Sequence, residues 1–333
     1  MGKVTIKDVA REAGVSISTV SNALNGVDVL KPETKEHILE VANRMKYIPN
    51  LNGRNLKSKA TKVIGLFTTS LKGPYFAALA DRIFWECKKY GYELNIFVTW
   101  ESKSAMNSIL GRRVDGCVVL SEDVDERGAE QIQEQEIPTV FLDREWKSNR
   151  IASVLFDSYG AGQKAAEFML SRGMKKVCFV RGVLENYDSI ERERGFRERL
   201  AKSGIELEPE YILNGGFERE MAHDSMLEFI EKGMPLPEAV FAGNDLSAFG
   251  VIDALTESGY RVPQDLIVLG VDDIEECNWY SPKLSTLKTD FEKEGVVAVE
   301  KLVKMINGEE PGEIIKLPSH LIERESTLQL KKE

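Results

Sequence analysis

A chain of 333 residues with 42% hydrophobic and 29% charged residues has the make-up of a globular protein with two or three cores, and excludes a disordered or fibrous one. Its start, MGKVTIKDVAREAG, carries five charges and no apolar run, and no stretch approaches the roughly 18 apolar residues of a membrane span, so a cytoplasmic location is expected. The net charge of -10 is unevenly spread: residues 1–62 hold eleven Lys or Arg against six Asp or Glu, net +5, which leaves -15 on the rest and confines any attraction to phosphate to the front. Thr5 is placed to cap a first helix whose apolar residues Ile6, Val9, Ala10 and Ala13 recur at helical spacing, ended by Gly14. Ser16 caps a second helix in which Val20, Ala23 and Leu24 face inward and Ile17, Ser18, Ser21 and Asn22 lie on the outer side near its N-terminal end. Asn25-Gly26 stops it, and a third helix after Pro32 carries the stripe Ile38, Val41, Ala42 and Met45.

This is the pattern of a helix-turn-helix DNA-binding domain over 1–49, or of an αα-corner in any helical domain. The segment KYIPNLNGRNLKSKATK, Lys46 to Lys62, then offers a proline, a possible cap at Asn50 and a lone Leu56 among Arg54, Lys57 and Lys59, which makes little sense as core. DVAREAGVSISTVSNALNG followed by YIPN and this leucine resembles the LacI/GalR family of bacterial transcription regulators, and the resemblance extends through the chain to RESTL. It implies that residues 50–61 form a hinge helix on DNA, with Asn50 at its start, Gly53 allowing close approach and Leu56 wedged into a central base step of the minor groove. It implies base reading by Ile17, Ser18 and Asn22; where relatives carry arginine or histidine this chain has Asn22, which suits an A·T pair.

From Lys62 onward apolar runs alternate with helices: VIGLFTTS, a helix over 74–90, ELNIFVTW, a helix over 104–112, GCVVLS, a further helix and PTVFLD. After ASVLFDS the pattern repeats, with helices over 160–171, 189–201, 222–231 and 246–258 and the runs KVCFVRG, AVFAGND and LIVLGVDD. Parallel sheets with right-handed crossovers follow, in two Rossmann-like lobes. The predicted fold is therefore α/β: a helix-turn-helix domain plus a two-lobed, periplasmic-binding-protein-like body. That effector-binding and dimerisation domain spans 62–333, with lobe 1 about 62–157 and 290–318 and lobe 2 about 158–289 and 319–333.

Ligands bind beyond the carboxyl ends of such strands, where Ser70, Ser121, Asp143, Asn244, Asp245, Asp272 and Asp273 stand, although each could equally cap the next helix. The resemblance narrows these to effector contacts by Tyr75, Phe76, Asp143, Arg192, Phe217, Asn244 and Asp272, with Thr289 where some relatives carry glutamine; Ser121 joins them as a strand-end hydroxyl. Arg192 opposed by carboxylates, with Phe217 as a flat face, suits a neutral sugar or polyol. Asn186 and Asp188 fall in a variable loop.

Enzyme signatures are missing: there is no G-x-G-x-x-G after the first strand, no phosphate-binding P-loop and no G-x-S-x-G. His37, His223 and His320 are dispersed, and Cys87, Cys117, Cys178 and Cys277 lie far apart without C-x-x-C spacing, so no catalytic residue, metal or cofactor is expected. A sequence-specific repressor is expected, acting on a pseudo-palindromic double-stranded operator under allosteric control by a small molecule. The sequence runs only to LQLKKE after RESTL, so no tetramerising helix is expected and a homodimer is. The competing reading is a sugar-binding protein of the periplasmic type without DNA function.

Overall fold

The computed structural model describes residues 4–24, 29–48 and 60–328, and the chain divides into two compact units between Thr61 and Lys62. The first unit holds α1 (Ile6–Glu12), α2 (Ile17–Leu24) and α3 (Pro32–Arg44). At the start of α1, Asp8 Oδ2 accepts from the Thr5 N–H at 3.0 Å and from the Thr5 hydroxyl at 2.7 Å. Those bonds hold the Asp8 carboxyl below its ordinary range. Gly14, at φ 68°, turns the chain, and Ser16 Oγ accepts from the Thr19 N–H at 3.1 Å to open α2. Val9, Val20 and Ile38 are fully buried where the three helices meet. Each stabilises the small core by about 1.5–3 kcal/mol relative to exposure, which matters in a unit with so little interior.

The second unit is built on two six-stranded sheets. The first contains β1 (Val63–Thr68), β2 (Glu93–Val98), β3 (Gly116–Leu120), β4 (Thr139–Phe141), β5 (Ile151–Phe156) and β11 (Ile314–Leu317), in the order β11-β5-β4-β3-β1-β2, all parallel. The second contains β6 (Val177–Arg181), β7 (Ile212–Asn214), β8 (Ala239–Ala242), β9 (Ile267–Asp272), β10 (Ser285–Lys288) and β12 (His320–Ile322), in the order β12-β10-β9-β8-β6-β7, parallel except for β12. Central strands such as β5 and β8 are buried along their whole length, which is why they read as unbroken apolar runs.

The helices are α4 (Pro74–Lys89), α5 (Ser102–Leu110), α6 (Glu126–Glu134), α7 (Ser158–Ser171), α8 (Tyr187–Ala201), α9 (Arg219–Glu231), α10 (Asp245–Glu257) and α11 (Phe291–Asn307). Helix α5 starts at Ser102, two residues before its sequence-based start, and α8 starts at Tyr187 because Asn186 Oδ1 accepts from the Ser189 N–H at 3.2 Å and caps it. The chain passes between the sheets three times, after Phe156, after Lys288 and after Leu317. Strand β5 thus belongs to the first sheet, and α11 returns to it, packing Val299 and Leu302 with Leu79 and Ile83 of α4. All four cysteines are buried and unpaired, and burial pushes the Cys87 and Cys117 thiols up to about 12. Among the described residues no helix is long and apolar enough to cross a membrane.

Candidate effector cavity and DNA-contacting surface

In the first unit the buried Val20 and Ala23 leave the opposite side of α2 outward. Ser16, Ile17 and Ser18 are exposed there, and Ser21 and Asn22 are half-buried. The Ser16 and Ser18 hydroxyls lie 2.7 Å apart, and Ile17 is 45% exposed, so the helix start offers hydroxyls, an amide and an apolar side chain to a partner. Those groups suit phosphate oxygens, base edges and thymine methyls. The Thr5 hydroxyl is committed to Asp8. Asn50, Gly53 and Leu56 lie outside the described residues.

The second unit encloses a cavity of about 250 Å3 whose wall comes from both lobes. Lobe 1 contributes Tyr75 and Phe76 from the first turn of α4, Phe156 from the end of β5 and Phe291 from the start of α11. The Tyr75 ring meets Phe291 edge-on with centroids 4.9 Å apart, and Phe156 at 6.4 Å. Lobe 2 contributes Asp188 and Arg192 from α8, Phe217, Asn244 after β8 and Asp272 at the end of β9. These are the carboxyl ends of parallel strands, where the topology leaves a crevice.

Local backbone chemistry sets several of these side chains. Phe217 sits at φ 64°, and its ring lies so close to Gly182 that a Cβ there would come within 2.1 Å of the ring Cζ. Only glycine leaves room for that ring. Asp272 and Asp273 are also left-handed, at φ 122° and 64°, strain that the surrounding structure must hold in place. They diverge: Asp272 lines the cavity, whereas Asp273 pairs with Arg324 at 2.7 Å and Lys288 at 3.1 Å. Asn244 has two roles, since its Oδ1 caps α10 by accepting from the Ser247 N–H at 2.9 Å and its Nδ2 donates to the Phe217 carbonyl at 3.1 Å.

Arg192 is 4% exposed and donates from Nη1 to the Gly243 carbonyl at 2.5 Å and from Nη2 to Ser158 Oγ at 3.1 Å, while its Nε has no partner among the described residues. Ser158 passes its own hydrogen to Asp188 Oδ1 at 2.5 Å, so serine stands between the guanidinium and the carboxylate. Burial raises Asp188, against the opposing pull of Arg192. Asp272 is raised well above the usual carboxylate range by burial and by the neighbouring Asp245, itself pushed up to about 6 by burial. Beside them stands fully buried Glu294 of α11, whose Oε2 accepts from the Tyr75 hydroxyl at 2.9 Å and whose Oε1 has no partner among the described residues. Burial raises it well above its ordinary value, and the charges of Asp188 and Asp272 add to that.

Of the residues expected at the cavity, Tyr75, Phe76, Arg192, Phe217, Asn244 and Asp272 line it. Ser121, Asp143 and Thr289 stand behind the wall. Asp143 accepts from the Ser121 N–H at 3.0 Å and from Arg144 Nε at 2.9 Å, so its oxygens serve lobe 1 itself. Thr289 donates to Asp272 Oδ1 at 3.4 Å and reaches the cavity only through that residue. Sequence reasoning set Asp188 aside and did not reach Glu294 or Phe291.

Comparison with known proteins agrees with this architecture. Residues 5–50 match the model of bacterial regulatory proteins of the lacI family, and residues 166–327 match a periplasmic binding protein-like domain. The probable HTH-type transcriptional repressor ExuR of Bacillus subtilis (strain 168) is 33% identical over 307 residues, covering 91% of this chain and 92% of its own. The chain belongs to the LacI/GalR family. This LacI/GalR member superposes on a lac repressor dimer bound to operator and the anti-inducer ONPF with a TM-score of 0.82, at 25% identity over 98% of this chain and 100% of the other. A complex of the regulator CelR with cellobiose gives 0.73 at 26% identity, covering 97% and 100%. The LacI/GalR regulator described here is thus a DNA-binding transcriptional regulator and not an enzyme.

Proposed function

We propose that this regulator is a repressor, located in the cytoplasm, that binds a pseudo-palindromic operator as a homodimer and is controlled by a sugar or sugar derivative in the interlobe cavity. The observation that carries the reading is the cavity wall itself. Aromatic rings from lobe 1 face a buried guanidinium, an amide and carboxyl groups from lobe 2, the mixture that grips a ring bearing many hydroxyls. The cellobiose seen in CelR supports a carbohydrate, and the lac repressor dimer on its operator supports two-fold binding. Further support for a dimer comes from β2, an edge strand whose Ile96 and Val98 are exposed next to Trp100, 86% exposed. An apolar sheet edge in water invites a second copy.

In this reading Ile17, Ser18 and Asn22 meet base edges, with Ser16 and Ser21 near phosphate, and Asn50, Gly53 and Leu56, outside the described residues, add to operator binding. An effector that binds one arrangement of the lobes more tightly shifts the operator equilibrium by that difference alone, and the coupling is reciprocal. Arg192→Ala tests it. Operator affinity in the absence of effector should match the unsubstituted chain in a gel-shift titration, and response to a carbohydrate effector should vanish. A normal response from that variant refutes the cavity assignment.

A further inference from the structure

We infer that Tyr187 and Glu145 are positioning residues for effector control, whose hydrogen bond latches the two lobes together over the cavity until it breaks. The inference rests on the interlobe cavity as the effector's place, but its test uses no effector, so the failure of one is told apart from the failure of the other. Tyr187 opens α8 in lobe 2, between Asn186 and Asp188, both of which line the cavity. Glu145 lies in lobe 1, in the loop from β4 to β5. The Tyr187 hydroxyl donates to Glu145 Oε1 at 2.7 Å, and Lys316 Nζ of β11 stands 2.7 Å from the same oxygen. One carboxylate oxygen therefore takes a donor from each lobe. The bond lies away from the crossovers, where the chain itself already ties the lobes.

Both ends of the bond sit on backbone that is held in place. Asn186 caps α8 through the Ser189 N–H at 3.2 Å, and next to Glu145 the Trp146 N–H donates to Ser153 Oγ of β5 at 2.8 Å. The bonds from Lys316 and Tyr187 hold the Glu145 carboxyl below its ordinary range, so it accepts as an anion. A charge-assisted bond of this kind is stronger than a neutral one. A force of opposite sense stands nearby. Glu122 of lobe 1, raised mainly by burial, is raised further by the charges of Asp143 and of Glu185, two residues before Tyr187 in lobe 2. Like charges on the two lobes push the cleft apart, so the closed arrangement needs a tie, and Tyr187 supplies it. A ligand that shifts the first turn of α8 through Asn186 or Asp188 shifts the latch with it.

Thiol labelling of the full chain with an aromatic disulfide reagent tests this. The reporter is Leu120→Cys, at the cavity-lining end of β3, with Phe76→Cys as a second reporter; the four native cysteines are buried and report global unfolding. Tyr187→Phe, which keeps the ring and removes the donor, should raise the reporter's labelling rate at least about five-fold, and Glu145→Ala likewise. Combined, the two should label no faster than Glu145→Ala alone, because they remove the same bond. The native cysteines should stay as slow as in the unsubstituted chain. A reporter rate unmoved by Tyr187→Phe, full multiplication of the two effects in the double variant, or a rise that the native cysteines share overturns the latch and leaves the cavity assignment standing. That assignment fails separately, through a normal effector response in Arg192→Ala.

Discussion

Tyr75 donates its hydroxyl to Glu294 Oε2 at 2.9 Å and so ties the first turn of α4 to the first turn of α11 at the cavity wall. It is the partner that keeps a fully buried carboxyl from being wholly unsatisfied. Tyr75→Phe keeps the ring packing and removes the donor, so urea unfolding should show a loss of about 1–3 kcal/mol. Unchanged stability would mean that Glu294 finds another donor when the hydroxyl goes.

The same carboxyl makes stability depend on pH. Its folded pKa is raised well above the ordinary 4.5 by burial and by Asp188 and Asp272, so the fold keeps a proton that the unfolded chain releases. That contribution is full below the ordinary carboxylate range and is lost as pH rises through the raised value. Glu294→Gln cannot lose a proton. The Tm of the variant minus that of the unsubstituted chain, both without effector, should therefore increase steadily from about pH 5 to about pH 8; a flat difference would place Glu294 at an ordinary pKa.

Gly182→Ala should strike the cavity without touching α2. The added methyl would overlap the Phe217 ring, which must swing away and take its flat face with it. Effector affinity should fall by about ten-fold or more, equivalent to at least ~1.4 kcal/mol, with operator affinity unchanged. Calorimetry and gel shifts on the same preparation separate the two.

Under the proposed function Asn22, on the outer side of α2, meets a base edge, and its amide suits adenine N6 and N7. Selection from random DNA should return A·T at the matching position of both half-sites. Asn22→Arg should move that position to G·C by about 1–3 kcal/mol. Recovery of G·C by the unsubstituted chain would remove the base-reading role from this residue.

Much of this was legible in the sequence because the signals are local. Val9, Val20 and Ile38 recur at helical spacing, and β5 and β8 are unbroken apolar runs, so helices and buried strands declare themselves. Asn244 and Asp272 stand at strand ends, where parallel topology forces a crevice. Asp143 has the same local signature and is nonetheless spent on Ser121 and Arg144, which no pattern distinguishes. Glu294 was illegible for a plainer reason. It follows Glu292 and Lys293 at the start of a helix and looks like one more solvated charge, and its hydrogen-bond donor, Tyr75, is 219 residues away. Strands β7 and β12, three residues each, are too short for any alternation to register.

The three passages between lobes have a consequence for how the gene can be cut. Strands β11 and β12 follow one another with only Pro318 and Ser319 between them, yet the first edges one sheet and the second edges the other. A nonsense codon shortly before Ile314 would strip a margin from both halves at once, and neither half can be cloned as one uninterrupted fragment. Recombination that swaps ligand preference between relatives therefore has to exchange the body whole, or exchange side chains one by one.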